Sequence, residues 1–337
     1  MDGATGGRRA AGTQGMRLAR WARVPWSLRR ASRVLAIDIG SHSVKLVSVR
    51  RDGTGIRLEG AATGEMPAGA MHGHVIRDPS PVADVVRRLV RETGARTRRA
   101  VAALPGPAVM MRRITVRPSS DTSLDALVVR EAAVLIPDAL DHAVLDYQVL
   151  GRLGPEPTAC VLIVAARRDL VRSFASAVRA AGLEPCALDV DVFALDRLYR
   201  TEGNGTCSKG SVALVHVGAR RADVIVAGSD GPVFAGDVPV DGLARDPASF
   251  AREVHRALDL SSSESASRVD AVVLSGGSAA APGLAPALGC RLGCPVTLAE
   301  PFRSVALGPR VDHAVLAHSG PAFAIAMGLA LGEHVAR

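Results

Sequence analysis

The same local pattern, a strand followed by a glycine turn and a second strand, occurs twice in this chain, about 180 residues apart. The first copy covers residues 34–50, with its turn at Gly40, and the second covers residues 212–228, with its turn at Gly218. A third turn, Ser-Gly-Gly-Ser at 275–278, follows an apolar run at 269–274 that predicts a buried strand. Each turn alone is explained as a structural turn, but the ordered set predicts two related lobes whose turns meet at one cleft.

Turns of this kind are suited to holding phosphate groups. Their backbone N–H groups can approach a ligand closely because glycine has no Cβ. Asp38, at the end of the first strand, would lie near the magnesium ion that accompanies the phosphates, through water, and is the candidate metal residue. The turns therefore predict a site for ATP or ADP with magnesium, formed by Asp38, Gly40, Ser41, Ser43, Lys45, Gly218, Ala219, Gly276, Gly277 and Ser278.

The composition is that of a globular protein rather than a membrane-spanning or disulfide-bonded one. Of its 337 residues, 48% are hydrophobic, but no apolar run approaches the ~20 residues that a membrane-spanning helix needs. Its five cysteines form no paired spacing, and for Cys290 and Cys294 structural thiols are a better explanation than a metal site. These features predict a cytoplasmic protein.

The net charge of +8 is concentrated at the amino terminus. Residues 1–33 hold eight arginines and one acid, so the rest of the chain is nearly neutral, which argues against nucleic-acid binding. Both tryptophans, Trp21 and Trp26, lie in this segment between arginines. This pattern is compatible with a disordered tail or with a tail that contacts an anionic membrane surface.

Between the two copies, the sequence predicts a helix at 81–95, a strand at Arg99–Leu104 and a compact α+β module at 109–190. A helix in this module is predicted to begin with Asp169 as its N-cap and to end at Gly182. A Gly/Ser/Asn-rich stretch at 201–209 predicts a linker between the two halves. A further helix is predicted from Asp246 to residue 260.

Several segments resemble motifs of the PilM family of type IV pilus assembly proteins, within the actin/FtsA/sugar-kinase superfamily. Residues 37–49 resemble the family's first phosphate motif, and residues 320–331 resemble its C-terminal signature. The family's inserted subdomain resembles segments 129–132, 136–137, 144–147, 164–167 and 181–190. Together the matches extend over most of residues 34–331.

The resemblance implies an α/β, actin-like (ribonuclease H-like) fold of two lobes, with an SHS2-type α+β insertion called 1C and a reduced 2B region. The implied organisation is a basic tail at 1–32, subdomain 1A at 33–108, the 1C insert at 109–190, a return to 1A with the linker at 191–208, subdomain 2A at 209–317 with a truncated 2B at 243–268, and a C-terminal helix at 318–337 that packs on 1A.

The resemblance also implies a role. Proteins of this family bind the short cytoplasmic N-terminal segment of the membrane protein PilN in a groove beside 1A and 1C. A similar role here would make the chain a cytoplasmic scaffold, peripheral at the inner membrane, that binds PilN and is connected through it to PilO and to the pilus motor ATPase.

The sequence departs from the family pattern at two places. His216 stands where the second phosphate motif usually has an acid, and only about 30 residues separate Gly242 from residue 272, where 2B would lie. An imidazole cannot replace a carboxylate that holds a metal or orients an attacking water. We therefore expect a degenerate pocket and little or no hydrolysis.

Two other functions remain open at this point. An ATPase or small-molecule kinase of the superfamily would need a carboxylate base, for which Asp223, Asp237 and Asp241 are the candidates. An FtsA-like polymer-forming protein is a further alternative, which the short 2B region argues against.

Overall fold

The computed structural model describes residues 32–52, 55–117, 122–136, 140–153, 158–202, 211–228, 231–261, 269–309, 311, 316 and 319–332. The predictions for the basic tail, including Trp21 and Trp26, lie outside these residues, as does most of the predicted linker. Within the described residues, no helix is long and apolar enough to cross a membrane.

The first lobe is built on a mixed sheet of six strands. They are β1 (Ser32–Ile39), β2 (Ser43–Asp52), β3 (Gly55–Glu65), β6 (Arg99–Leu104), β10 (Glu184–Val190) and β16 (Ala306–Leu307). Their order across the sheet is β10-β6-β1-β2-β3-β16. Strands β1 and β2 form the predicted hairpin, and β1 pairs in parallel with β6 on its other side.

The second lobe repeats this arrangement. Its strands are β11 (Ser211–Val217), β12 (Arg221–Gly228), β13 (Gly231–Pro239), β14 (Val269–Ser275) and β15 (Val296–Leu298), in the order β13-β12-β11-β14-β15. Strands β11 and β12 form the second hairpin, and β11 pairs in parallel with β14. The sequence duplication is therefore also a structural one, since β14-β11-β12-β13 corresponds to β6-β1-β2-β3.

A separate sheet of three antiparallel strands projects from the first lobe. Its strands are β7 (Val109–Val116), β8 (Ala143–Leu153) and β9 (Thr158–Arg167), with β9 in the middle. Helix α2 (Leu124–Leu135), whose N-cap Ser123 accepts a hydrogen bond from the Ala126 N–H, contributes to the small core of this unit. A short hairpin, β4 (Met71–His72) and β5 (Val75–Ile76), lies before the first helix of the described residues.

Helices cover the sheets. They are α1 (Pro79–Glu92), α3 (Arg168–Ala180), α4 (Asp191–Thr201), α5 (Pro247–Ser261), α6 (Leu284–Leu292) and α7 (Ala324–Ala330). Helix α3 packs against α1, and β10, which follows α3, pairs with β6. The predicted insert at 109–190 thus contains elements of two sheets, and its boundaries stay a prediction. In the described residues, α5 is the helix between β13 and β14.

The prediction that Asp169 caps α3 is wrong by two residues. The N-cap is Arg167, and the helix begins at Arg168. Asp169 lies in the first turn of the helix. There its carboxylate accepts hydrogen bonds from the Arg167 guanidinium, at 3.0 Å from Nε, and from the Leu170 N–H. The predicted end is confirmed, since Gly182 follows the helix with φ +80°, a conformation that favours glycine.

The largest core joins the two lobes. It contains the first sheet, α4 and α7, together with residues of the second sheet such as Leu214 and Ile225. Helix α7 packs on α4 so closely that a Cβ added at Gly328 would overlap the carbonyl oxygen of Ala194. A second core lies between the second sheet and helices α5 and α6. The lobes are therefore held together by continuous apolar packing behind the cleft.

Candidate functional site

The two hairpin turns share one geometry. The Gly40 N–H donates to the Ser43 carbonyl at 3.1 Å, and the Gly218 N–H donates to the Arg221 carbonyl at 3.0 Å. A Cβ at Gly218 would lie 2.8 Å from the Arg221 carbonyl oxygen, so the tightness of the turn requires glycine there. Both glycine N–H groups therefore donate within their own turns and are not available to a ligand. The tips of the turns are exposed at Ser41 and Ala219, and their backbone groups face solvent.

Titratable residues lie at equivalent positions behind the two turns. In the first hairpin Asp38 is directly opposite Lys45, and in the second His216 is directly opposite Asp223. The Lys45 ammonium lies 3.4 Å from the Asp38 carboxylate, and both side chains are largely buried. The acid is therefore on the first strand of one hairpin and on the second strand of the other.

His216 is a buried, uncharged imidazole. Its Nδ1 lies 3.0 Å from the Ser275 hydroxyl at the end of β14. The pKa of His216 is lowered to about 4, chiefly by burial. The charge of Asp38 opposes this shift, and the charge of Lys45 contributes to it. Asp38 and Lys45 belong to the first hairpin and His216 to the second, so the charges of one hairpin affect the other. At neutral pH His216 supplies no positive or negative charge.

Asp191, at the start of α4, is a residue of this cleft that sequence reasoning missed. Its buried Oδ1 accepts hydrogen bonds from the Gly106 N–H at 2.8 Å and from the Val192 N–H at 2.6 Å. Burial raises the pKa of Asp191 well above its usual value, and the charges of Asp223 and Asp38 raise it further. A signal was available, because Asp191 is a carboxylate directly after the strand residues of β10.

Asp223 faces the same space from the second lobe. Burial raises the pKa of Asp223 to about 7, and the charges of Asp237 and Asp38 also raise it, while Arg221 lowers it. Asp237 is directly opposite Asp223 on β13 and is ion-paired with Arg221. The cleft thus contains the carboxylates of Asp38 on β1, Asp191 on α4 and Asp223 on β12. Lys45 and the neutral His216 lie among them. Sequence reasoning had considered Asp223 only as a base for an enzyme.

The third turn closes against the second hairpin. Gly276 has φ +98°, and a Cβ there would overlap the carbonyl oxygen of Val217. The Gly276 N–H donates to the Pro321 carbonyl at 2.8 Å, and the Ser278 N–H donates to the Val217 carbonyl at 3.0 Å. Gly277 between them faces open space. The turn therefore links the second lobe to the segment before α7, and Gly277 is its member with room for a ligand.

The first lobe has features that suit a magnesium nucleotide. The Oδ2 of Asp38 is buried, is ion-paired with Lys45 and accepts no hydrogen bond, which leaves it able to accept one from a metal-bound water, and Lys45 fits a phosphate oxygen. The second lobe differs, because neutral His216 occupies the position equivalent to Asp38. Among the described residues, no group of three or more His, Cys, Asp or Glu side chains is arranged to hold a metal ion by itself.

A second candidate site is a cavity of about 880 Å³ between the first lobe and the three-stranded sheet. Its walls are mainly apolar, and Arg167, Arg168 and Arg172 line it from α3 and the residue before it. Arg168 is fixed there by donating to the Ala143 carbonyl at 3.1 Å. We call this cavity the groove. Its apolar lining residues are Val75, Ile76, Pro79, Ala108, Met110, Ile136, Ala143, Ala165 and Ala166.

Comparison with known families identifies the group to which this arrangement belongs. A family model described as type IV pilus assembly protein PilM matches residues 36–244 and 246–334. The chain is a member of the PilM family. The resemblance inferred from the motifs at 37–49 and 320–331 is confirmed.

One solved structure agrees with membership of the PilM family, and two others show weaker likeness. A structure named "PilM-PilN type IV pilus biogenesis complex" is 26% identical, with a TM-score of 0.77, and the match covers 90% of this chain and 98% of that one. A protein from Bacteroides thetaiotaomicron with an actin-like ATPase fold is 10% identical, covering 80% and 91% with a TM-score of 0.47. EutJ from Carboxydothermus hydrogenoformans is 14% identical, covering 91% of each chain with a TM-score of 0.45. The predicted α/β fold of two lobes is confirmed by the two related sheets and by the likeness to the PilM-PilN complex structure.

Proposed function

We propose that this PilM-family protein is a cytoplasmic scaffold of the inner-membrane assembly platform of type IV pili, and that its groove binds the cytoplasmic N-terminal segment of PilN. The observation that carries the proposal is the groove at the junction of the first lobe and the three-stranded sheet. The likeness to the PilM-PilN complex structure, over nearly the full length of both chains, supports it.

The groove has the size and lining that a peptide requires. Its volume of about 880 Å³ lies toward the upper end of the roughly 300–1,000 Å³ typical of ligand sites. Its apolar walls gain about 25 cal/mol for each Å² of apolar surface that a bound segment covers. The walls come from separate elements: β5 and the start of α1 on one side, and β7 and β9 on the other. Peptide binding would therefore stiffen the junction between these units.

Calorimetric titration with a synthetic peptide of the cognate PilN N-terminal segment tests the proposal. We expect binding at roughly micromolar concentration. Met110→Glu, which replaces an apolar part of the groove wall by a charged group, should weaken it by at least about tenfold, because the bound segment loses an apolar contact and must displace the water that solvates the carboxylate. The matched control is Leu260→Glu, at a position on α5 that is 72% exposed. Absence of binding by the unaltered protein, or equal affinity in both variants, would contradict the proposal.

We further propose that the cleft binds ATP or ADP without efficient turnover. Asp38 would contact magnesium through water and Lys45 a phosphate oxygen. The turn tips at Ser41 and Ala219 would offer backbone donors, and Ser41 and Ser43 hydroxyl donors, while Gly40 and Gly218 would shape the turns, since their N–H groups donate within them. Gly276, Gly277 and Ser278 would lie beside the adenosine. Bound magnesium would offset the phosphate charge. A nucleotide titration with and without magnesium tests this, and Lys45→Met should abolish binding while Arg256→Met on α5 should not.

One observation favours an ATPase or small-molecule kinase as a second candidate function. Asp223 has a pKa of about 7, and a general base works best when its pKa lies near the working pH. Release of phosphate from ATP in the presence of magnesium, lost in both Asp38→Ala and Asp223→Asn, would establish it. Release that survives Asp223→Asn would remove this candidate base.

Recruitment by PilN would place the protein at the inner membrane and connect it to PilO and the motor ATPase. Co-purification of PilO with the protein only when PilN is present would support this order of assembly. Direct capture of PilO without PilN would contradict it.

A further inference from the structure

Three arginines lie side by side at one end of the first sheet. Arg33 on β1 is directly opposite Arg50 on β2, and Arg50 is directly opposite Arg57 on β3. Like charges placed opposite each other on neighbouring strands destabilise a sheet. The Glu59 carboxylate accepts from the Arg33 Nε at 3.0 and 3.1 Å and offsets part of this repulsion. An anion bound at this end of the sheet would reduce the repulsion further.

Two exposed arginines extend the row along the same edge. Arg96 and Arg98 lie in the connection between α1 and β6. The Thr97 hydroxyl between them donates to the Arg33 carbonyl at 3.4 Å, which fixes this connection beside the row. We call these five residues, Arg33, Arg50, Arg57, Arg96 and Arg98, the arginine pole.

Among the described residues, the acids near the arginine pole are fewer than its arginines. Glu59 is paired with Arg33, and Glu184, whose N–H donates to the Arg98 carbonyl at 2.7 Å, lies at the start of the neighbouring strand β10. Asp52 ends β2. The pole has five arginines against these three acids. The end of the sheet therefore carries a net positive charge, on a folded body that is nearly neutral overall.

The amino-terminal segment is attached at this same end, because β1 begins at Ser32. Residues 1–31 contain seven further arginines and both tryptophans of the protein, Trp21 and Trp26. Guanidinium groups bind phosphates with paired hydrogen bonds, and indole rings favour the headgroup layer of a bilayer. We propose that the arginine pole is a contact surface for the phosphate headgroups of an anionic membrane.

The pole is separate from the groove. Helix α1 begins beside the groove at Pro79 and ends at Glu92, three residues before Ala95, where the connection that carries Arg96 of the pole begins. A helix of its 14 residues extends about 21 Å. Lipid and peptide can therefore bind at once, and the pole acts whether or not the groove binds PilN.

Co-sedimentation of the full chain with vesicles tests the pole. The vesicles contain phosphatidylcholine with roughly one-third phosphatidylglycerol, in about 100 mM salt, so that screening is moderate. Arg57→Glu/Arg96→Glu/Arg98→Glu should lower partitioning by roughly 100-fold, since each basic residue near an anionic surface contributes about fivefold. The matched control, Arg252→Glu/Arg256→Glu/Arg291→Glu, makes the same charge change on α5 and α6 of the second lobe and should retain most of the binding.

Several results would overturn the proposal. They are equal partitioning of the two triple variants, binding to pure phosphatidylcholine as strong as to anionic vesicles, or binding of duplex DNA by a protein that does not sediment with vesicles. Displacement from vesicles by millimolar inorganic phosphate would assign the pole to a free anion instead. Unchanged thermal unfolding and unchanged nucleotide affinity in the pole variant show that its fold is intact.

Discussion

Asp38 and His216 occupy equivalent positions in the two lobes, each two residues before a turn glycine and each on a strand that pairs with a parallel neighbour. The duplication therefore made two similar turns but only one of them retains a carboxylate at this place. Its partner residue is exchanged as well, with Lys45 opposite the acid and Asp223 opposite the imidazole. The cleft is electrostatically asymmetric for this reason.

Restoring the second acid should make nucleotide binding depend on magnesium. We expect His216→Asp to bind magnesium-ADP about tenfold more tightly than the unaltered protein, because a carboxylate facing Asp38 supplies the charge that a divalent cation requires. Titration with and without magnesium measures the effect. His216→Asn is the neutral control and should show no such gain. A similar response of the two variants would mean that the position does not face the metal.

Removing the Asp223 carboxylate should stabilise the protein at alkaline pH. The folded-state pKa of about 7 is above the ordinary value of 3.8, so the unfolded chain ionises first and the free energy of unfolding falls as pH rises from about 4 to about 7. We expect Asp223→Asn to gain on the order of 2–4 kcal/mol at pH 8, and little at pH 4. Urea unfolding at both pH values measures this.

The control for this prediction is Asp84→Asn, on the exposed side of α1, where the side chain of Asp84 is 65% exposed. Its effect should be small and similar at both pH values. A loss of stability in Asp223→Asn at pH 8 would show that the ionised carboxylate makes a favourable interaction instead.

The third turn should tolerate a methyl group at one glycine and not at its neighbour. Gly276→Ala would force Cβ against the Val217 carbonyl at a positive φ, and we expect a loss of about 2–4 kcal/mol in the free energy of unfolding. Gly277→Ala faces open space and should change it by less than about 1 kcal/mol. Denaturant unfolding of the two variants gives the comparison. Equal losses would mean that the turn is not held against β11.

The tryptophans of the amino-terminal segment should contribute to vesicle binding independently of the arginine pole. Trp21→Ser/Trp26→Ser in the full chain is expected to weaken partitioning into anionic vesicles by about tenfold, through the loss of two interfacial side chains. Both tryptophans of the chain lie in this segment, so they are the source of its tryptophan fluorescence. The emission of the unaltered protein should therefore shift to shorter wavelength when vesicles are added. An unchanged emission maximum would favour a tail that does not touch lipid.

Local patterns allowed both hairpins, the helix α1 and the strand β6 to be predicted, because their apolar residues recur with the period of the element. Strand β3 was missed, since its sequence contains Gly60 and Gly64 and few large side chains. Those glycines let α1 approach closely: a Cβ at Gly60 would lie 2.7 Å from the Thr93 carbonyl oxygen. The requirement comes from a neighbouring helix and leaves no periodic signal.

The site was predicted in part for a related reason. The turn residues follow from local glycine patterns, but the role of Asp191 depends on Gly106, 85 residues earlier in the chain. The groove likewise draws its walls from elements far apart in sequence, so its lining could not be assigned from any one segment. Asp169 was predicted as the N-cap, but its carboxylate accepts hydrogen bonds from the Arg167 guanidinium, and Arg167 is the N-cap.

Helix α7 lies between α4 and the first sheet, although it is the last helix described in the chain. The first lobe thus needs residues 324–330 to complete its interior, whereas the second lobe is assembled from a continuous stretch that leaves the ribosome earlier. During synthesis, the later half of the protein should therefore reach its native packing first. A chain truncated before Ala324 should expose the apolar surface of β1 and α4, so this surface stays open to chaperones until α7 has been synthesised.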